Sequence, residues 1–252
     1  MTTMPHVLVI AGTDSSGGAG LVRDIQVITE LGARASCVVT AVTAQTNSRV
    51  EASYTLSPEL VRQQLRTALA SDDVRAIKIG MLGNGAIVQA VLDELPDRRQ
   101  IPSIVDPVLR SSSGAALLDP LGVQLLRDRL LPRCTLITPN LIEVAALLGE
   151  PVASTSYDQV RQAQALLHFG SEGVLLKGGH GTGAESVDVL VTQRGSPLLL
   201  KSKRLDATMR GTGCALSSAI AALMASGLPL DAACQRAKGY VHDKLLALKP
   251  YS

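Results

Sequence analysis

Short apolar runs, many of them rich in β-branched residues, alternate with amphipathic stretches along nearly the whole chain. Strands are predicted at 7–11, 36–42, 76–80, 103–105, 136–138 and 173–177, where the apolar residues are continuous or nearly so, as in strands buried on both faces. Helices are predicted over 17–31 and then from Ser57-Pro58-Glu59, where a capping serine precedes a proline in the first turn. Further helices follow over 84–94, 120–130 behind Asp119, 141–148 ending at Gly149, and 157–168. Two more, over 212–226 and roughly 230–248, close the chain. Runs 187–192 and 197–202 flank Gln193-Arg194-Gly195-Ser196 and read as a β-hairpin.

This alternation argues an α/β fold of three layers, a mostly parallel central sheet with helices on both faces. No composition shift or Pro/Gly/Ser-rich linker divides the sequence and no internal repeat is visible, so residues 1–252 are expected to form a single domain. In open sheets of this type, ligands sit beyond the carboxyl ends of the strands. The polar and glycine-rich segments fall there: Gly12-Thr13-Asp14-Ser15-Ser16-Gly17-Gly18, Gln45-Thr46-Asn47, Gly80-Met81, Asp106-Pro107, Pro139-Asn140 and Lys177-Gly178-Gly179-His180.

Composition narrows the class. Hydrophobic residues make up 46% of the chain but aromatics only 2%, so the core must be aliphatic. Lys and Arg number 24 against 22 Asp and Glu, which leaves no basic footprint for nucleic acid, and aromatic stacking platforms for single strands are also missing. Cys37, Cys134, Cys214 and Cys234 lie far apart without metal-ligand spacing, and no disulfide framework is expected. No apolar segment reaches the length of a membrane span and no basic leader precedes the first apolar run, so a cytoplasmic protein is expected.

The richest chemistry lies in Asp206-Ala207-Thr208-Met209-Arg210-Gly211-Thr212-Gly213-Cys214. Two glycines bracket a threonine at the start of a helix, whose unpaired first-turn amides and dipole suit an anion, best of all a phosphoryl group. Cys214 sits where such a helix end favours a thiolate, although a buried packing cysteine fits the same pattern. The loop after the first strand is glycine-rich but matches neither the dinucleotide nor the Walker pattern. In it, Asp14 is expected to cap the turn; Asp24, further on, faces a substrate or complements the helix dipole. The Gln45 amide carries both donor and acceptor, which suits an aminopyrimidine edge. Asn140 and Glu143 have capping-box spacing; Glu143 is also placed to orient a magnesium water shell, with Asp106 as the second acid. Lys177, at a strand end before two glycines, is placed to pair with triphosphate oxygens, whereas Lys238 reads equally as a solvated helix lysine. His6, His168 and His242 show no pairing that suggests a nucleophilic triad.

Seven segments together resemble the bacterial hydroxymethylpyrimidine/phosphomethylpyrimidine kinases of thiamine biosynthesis, within the ribokinase-like superfamily. These are residues 11–20, Thr43-Ala44-Gln45, Lys78-Ile79-Gly80-Met81-Leu82, Asp106-Pro107-Val108, 138–143, Leu176-Lys177-Gly178-Gly179-His180 and Gly211-Thr212-Gly213-Cys214. The last is the most specific, because most of the superfamily carries aspartate where this chain has Cys214. The resemblance implies ATP with Mg2+, phosphorylation of a pyrimidine hydroxymethyl group and then of the resulting monophosphate, and a homodimer. It implies that Gln45 hydrogen-bonds the pyrimidine, Met81 packs on its ring, Cys214 activates the hydroxyl and Gly211, Thr212 and Gly213 hold the transferring phosphoryl. Gly12, Asp24 and Arg210 join the substrate side, Lys177, Asn140, Asp106 and Lys238 the ATP side, and Glu143 the metal. One departure matters: the family's usual Asn-Thr-His before the glycines is here Thr208-Met209-Arg210. Arg210 adds a permanent, fork-shaped charge, expected to reach a phosphate already on the substrate and so to favour the monophosphate. The rival readings are a pyridoxal-type kinase and a metabolite-binding protein that has kept the pocket but little catalysis.

Overall fold

The computed structural model describes residues 4–71, 73–97, 100–111, 114–179 and 183–248. The apolar runs form strands of one sheet: β1 (His6–Ala11), β2 (Arg34–Val39), β5 (Ala76–Ile79), β6 (Ser103–Val105), β7 (Leu136–Ile137) and β8 (Gly173–Leu176), followed by β9 (Glu185–Thr192) and β10 (Leu198–Lys203). Their spatial order is β10-β9-β8-β7-β6-β5-β1-β2. From β2 to β8 every pairing is parallel, and the β9–β10 hairpin closes one edge antiparallel. The numbering skips two strands, β3 (Ala41–Gln45) and β4 (Val50–Thr55), which leave the sheet as a separate antiparallel pair.

Helices cover both faces. Leu8 and Ile10 of β1 point into a core shared with α2 (Pro58–Ser71), α3 (Gly85–Glu94), α5 (Leu141–Leu148) and α6 (Ser156–Leu167). The same core takes in α4 (Pro120–Leu125), which runs on through a π-helical turn, Leu126–Leu130. Val7, Val9 and Ala11, one residue out of phase, point into a second core with α1 (Gly20–Glu30), α7 (Thr212–Ala225) and α8 (Leu230–Ala247). Every residue of β1 is buried, as its unbroken apolar run requires, and each large aliphatic side chain so buried contributes about 1.5–3 kcal/mol. The three-layer, mostly parallel architecture is therefore the one the alternation predicts.

Two predicted elements differ. The strand expected over 36–42 breaks at Thr40, whose hydroxyl donates to the Met81 carbonyl at 2.7 Å. The chain then turns out of the sheet into β3. Its partner β4 went unpredicted because it buries little: Glu51, Ser53, Tyr54 and Thr55 are exposed and Val50 and Ala52 only half-buried. Helix α1 starts at Gly20, not at residue 17 as expected. Before it the backbone N–H and hydroxyl of Ser16 both donate to Asp14 Oδ1, at 2.8 and 2.7 Å, which holds residues 14–16 as a turn.

One charge lies inside this apolar frame. Lys78, in the middle of β5, is fully buried, and its Nζ donates at 2.7 Å to the equally buried Asp24 of α1. The other Asp24 oxygen accepts from Ser218 Oγ of α7 at 2.8 Å. Burial raises the Asp24 carboxyl against the pull of Lys78 and Ser218, while Asp24 helps hold the Lys78 ammonium above its ordinary value against burial, so sheet and two helices meet in a buried ion pair. Removing one partner of such a pair costs about 3–5 kcal/mol, while replacing both with apolar groups is often neutral. Lys78→Met is accordingly expected to lower unfolding free energy by about that amount, and Lys78→Met with Asp24→Leu to regain most of it. Urea unfolding of wild type and both variants measures this; a single variant as stable as wild type would contradict it.

Candidate active site

The carboxyl ends of β1, β5, β6, β7 and β8 deliver their loops to one rim, and α7 begins against them. Gly211, the residue before α7, has φ 74°, and a Cβ there would lie 2.4 Å from the Gly18 carbonyl oxygen. Only glycine combines that backbone with that approach. The turn therefore packs directly on the loop after β1. No side chain caps α7, so its first-turn amides remain available to an anion. A Cβ on Gly213 would meet Lys177 Nζ at 3.1 Å and Asp106 Oδ2 at 3.4 Å. The absent side chain thus opens the turn onto an ammonium and a carboxylate.

Lys177 follows β8 and is anchored by its own N–H to the Pro139 carbonyl at 2.8 Å. Its Nζ lies 2.8 Å from Asp106 Oδ1 and 3.8 Å from Glu143 Oε2. Burial opposes the lysine charge, but Asp106 and Glu143 outweigh it and hold its pKa above the ordinary value. Asn140 and Glu143 form the expected capping box: the Asn140 oxygen accepts from Glu143 N–H at 2.9 Å and Glu143 Oε2 from Asn140 N–H at 2.7 Å. Burial pushes the Glu143 carboxyl up to about 7, against the pull of Lys177 and with the help of Asp106. Two carboxylates thus share one ammonium. That donor set fits Mg2+, which takes few carboxylates and keeps several waters. Among the described residues no group of three or more His, Cys, Asp or Glu side chains forms a cage for a metal.

Cys214 occupies the first turn of α7, beside the first residue of α1, whose Gly20 N–H bonds to the sulfur. Two helix N-termini therefore meet at the thiol, the setting from which a thiolate was expected. The structure corrects that expectation. Burial pushes the thiol up to about 11; Lys78 and the Gly20 N–H pull it down, but Asp24 and Asp106 add to the rise. At neutral pH the resting group is a thiol, because desolvation by its surroundings outweighs the helix ends.

The substrate-side candidates gather around the loop after β1. Gly12 packs against Met81, whose sulfur would lie 3.0 Å from a Cβ at residue 12. Gln45, at the end of β3, is pinned through its backbone N–H and carbonyl to the Ser15 hydroxyl at 2.8 and 2.9 Å. Arg210 reaches across from the turn before α7. Its guanidinium donates to Ser16 Oγ at 2.6 Å, to the Thr46 carbonyl at 3.0 Å and to Gln45 Oε1 at 3.0 Å, and lies 3.3 Å from Asp14 Oδ2. The residue expected to reach a substrate phosphate is engaged within the protein by a carboxylate and four neutral acceptors, the fourth being Asn47 Oδ1 at 3.5 Å.

Two further assignments change. Asp24 is not on the substrate side: it is fully buried against Lys78 and Ser218. Lys238 does not offer ATP a free charge. It is buried at 8% exposure, 2.9 Å from Asp188 Oδ2, and Asp188 Oδ1 accepts from Gly178 N–H at 2.9 Å. Lys238 thus steadies the strand end that carries Lys177. His180 falls outside the described residues. Sequence reasoning passed over Lys78 and Asp188; a lone lysine inside the Ala76-Ile77-Lys78-Ile79 run was the available signal, and Asp188 gave none. A depression of about 470 Å³ opens beside Gln164, His168 and Gln193 at the opposite rim, without acid or lysine in its lining.

With this geometry established, the chain can be set beside known proteins. Residues 14–249 match the family model described as phosphomethylpyrimidine kinase. A hydroxymethylpyrimidine/phosphomethylpyrimidine kinase from Rhizobium meliloti is 40% identical over 242 residues, covering 95% of this chain and 90% of that protein. The crystal structure of phosphomethylpyrimidine kinase from Clostridium difficile superposes with a TM-score of 0.83 at 33% identity, covering 95% and 98% of the two chains. An ADP complex of pyridoxal kinase from Bacillus subtilis gives 0.89 at 28% identity, covering 99% and 95%. The fold is thus that of the ribokinase-like kinases and by itself does not separate pyrimidine from pyridoxal enzymes; sequence identity favours the former.

The raised Glu143 carboxyl gives the site a pH signature. It binds its proton more tightly in the folded than in the unfolded chain, so its contribution to stability is full below pH about 4.5 and is lost as pH rises through about 7. In metal-free protein, wild type is expected to lose up to about 3 kcal/mol relative to Glu143→Gln across that window. Urea titrations at a series of pH values test this; parallel profiles for the two proteins would contradict it.

Proposed function

The chain belongs to the phosphomethylpyrimidine kinase family, and we propose that it transfers the γ-phosphoryl group of ATP to the hydroxymethyl group of 4-amino-5-hydroxymethyl-2-methylpyrimidine, and then a second phosphoryl to the monophosphate, towards the thiamine pyrimidine. The observation that carries this is the placement of the open turn at Gly211, Thr212 and Gly213 against Lys177, Asp106 and Glu143, with Cys214 next in the chain. Phosphoryl transfer asks mostly for positioning and charge neutralisation, and these groups supply both.

In this reading the amides of the turn hold the transferring phosphoryl and Lys177 pairs with triphosphate oxygens. Asp106 and Glu143 would hold Mg2+, which when bound with ATP would neutralise phosphate charge. The hydroxymethyl oxygen approaches beside Cys214 and forms the new bond to γ-phosphorus as the bond to the β,γ-bridging oxygen breaks; ADP leaves with that electron pair, and the hydroxyl proton passes to an oxygen of the transferred phosphoryl and from there to water. Because the resting thiol is protonated, Cys214 orients the hydroxyl rather than waiting as a formed thiolate. Met81 packs on the ring and Gln45 bonds its polar edge. A single kinase domain spanning the chain, a homodimer and a cytoplasmic setting belong to the same proposal; among the described residues no helix is long and apolar enough to cross a membrane.

Cys214→Ala, by letting the hydroxyl drift from its in-line position, is expected to lower kcat by about 10²-fold while leaving the ATP Kd nearly unchanged. Steady-state kinetics on the pyrimidine alcohol, run beside pyridoxal and with nucleotide titrations, provide the test. Near-wild-type kcat would reduce Cys214 to packing, and faster turnover of pyridoxal would move the enzyme to the rival class.

A further inference from the structure

We propose that Arg210 is a positioning residue that locks the Gln45 side-chain amide in one orientation and thereby makes the site select an amidine edge over a lactam edge. The proposal rests on the pyrimidine-kinase reading and deepens it. A guanidinium has only donors, so the Gln45 atom 3.0 Å from it must be the carbonyl oxygen, Oε1. The amide nitrogen is then turned away from Arg210, and among the described residues no protein acceptor meets it. Turning the amide over would set an NH2 group against a guanidinium, donor against donor.

Both partners of this contact are themselves fixed. Arg210 is held by Ser16 Oγ, the Thr46 carbonyl and Asp14, whose Oδ2 is buried and has no hydrogen-bond donor of its own, so the guanidinium 3.3 Å away is its counter-charge. The aliphatic part of the side chain lies over Gly18, with Cδ 3.2 Å from where a Cβ would sit. Gln45 is tied through both backbone polar groups to the Ser15 hydroxyl. The guanidinium and the amide therefore cannot drift apart without breaking several bonds on each side.

A locked amide reads direction. Its free nitrogen donates to a ring nitrogen, and its oxygen, with a second lone pair beyond the one facing Arg210, accepts from an adjacent exocyclic amino group. That matches a 4-aminopyrimidine. In the 4-oxo analogue donor and acceptor are exchanged, and a complementary pair would require the amide to turn over. A good bidentate pairing of this kind discriminates by roughly tenfold to a hundredfold.

The test compares kcat/KM for 4-amino- and 4-oxo-5-hydroxymethyl-2-methylpyrimidine in wild type, Arg210→Met and Arg210→Lys. Wild type is expected to favour the amino compound by tenfold or more. Arg210→Met should cut that ratio at least several-fold through a gain on the oxo compound, and Arg210→Lys, which keeps a donor against Oε1, should retain more of it. A ratio unchanged in Arg210→Met overturns the proposal, as does one that falls only through loss on the amino compound. Should Arg210→Met fail to fold, Gln45→Glu decides: it keeps the acceptor facing Arg210 but removes the donor, so KM for the amino compound should rise about tenfold with kcat little changed, and an unchanged KM overturns the lock. Wild type turning over neither pyrimidine removes the functional reading and the proposal with it; wild type turning over the amino compound with an unaltered ratio removes the proposal alone.

Discussion

The Lys78 ammonium lies in the middle of a sheet strand with no access to water, and the chain neutralises it with a carboxylate from one helix that is bound in turn by a hydroxyl from another. An ion pair there adds little net stability over apolar packing. Its effect is on geometry. Asp24 ties α1 to β5, Ser218 ties α7 to α1, and Ser218 is one helical turn beyond Cys214, so the start of each helix is fixed relative to the thiol. The same pair sets the field at the sulfur, Lys78 lowering its pKa and Asp24 raising it.

Around that anchor the rim divides in two. On one side Lys177 and Asp106, from two strand ends, and Glu143, from the first turn of α5, converge beside the open turn before α7. On the other, Arg210 gathers Asp14, Ser16, Gln45 and Thr46 and so ties the loop after β1 to the β3–β4 pair. The turn at Gly211, Thr212 and Gly213 lies between them, next in sequence to Arg210 and next in space to Lys177. A substrate with a phosphoryl-accepting hydroxyl and a polar ring edge is complementary to that division: chemistry at the Lys177–Asp106–Glu143 end, recognition at the amide end.

Much of this was legible in the sequence, and the limits have physical causes. The parallel sheet follows from apolar runs such as Val7-Leu8-Val9-Ile10-Ala11, because burial on both faces removes the polar alternation. The capping box at Asn140 and Glu143 is a local device, readable from spacing alone. Strand β4 was missed because a two-stranded pair at the margin buries too little to leave an apolar signature. The Cys214 expectation went astray because a helix N-terminus is visible in sequence, whereas the burial that outweighs it, and the acids Asp24 and Asp106 that add to it, come from distant segments. The Asp188–Lys238 pair and the Arg210 contacts with Gln45 and Ser16 are likewise products of tertiary approach, and no spacing rule announces them.

The central claim is that this rim carries a phosphoryl group from ATP to a pyrimidine alcohol. Phosphorus NMR of wild-type protein incubated with ATP, Mg2+ and 4-amino-5-hydroxymethyl-2-methylpyrimidine tests it most directly. The account predicts a new phosphomonoester resonance, formed in step with ADP, that gives way to the paired resonances of a diphosphate ester. Release of inorganic phosphate without any ester, or an unaltered ATP spectrum, would contradict it.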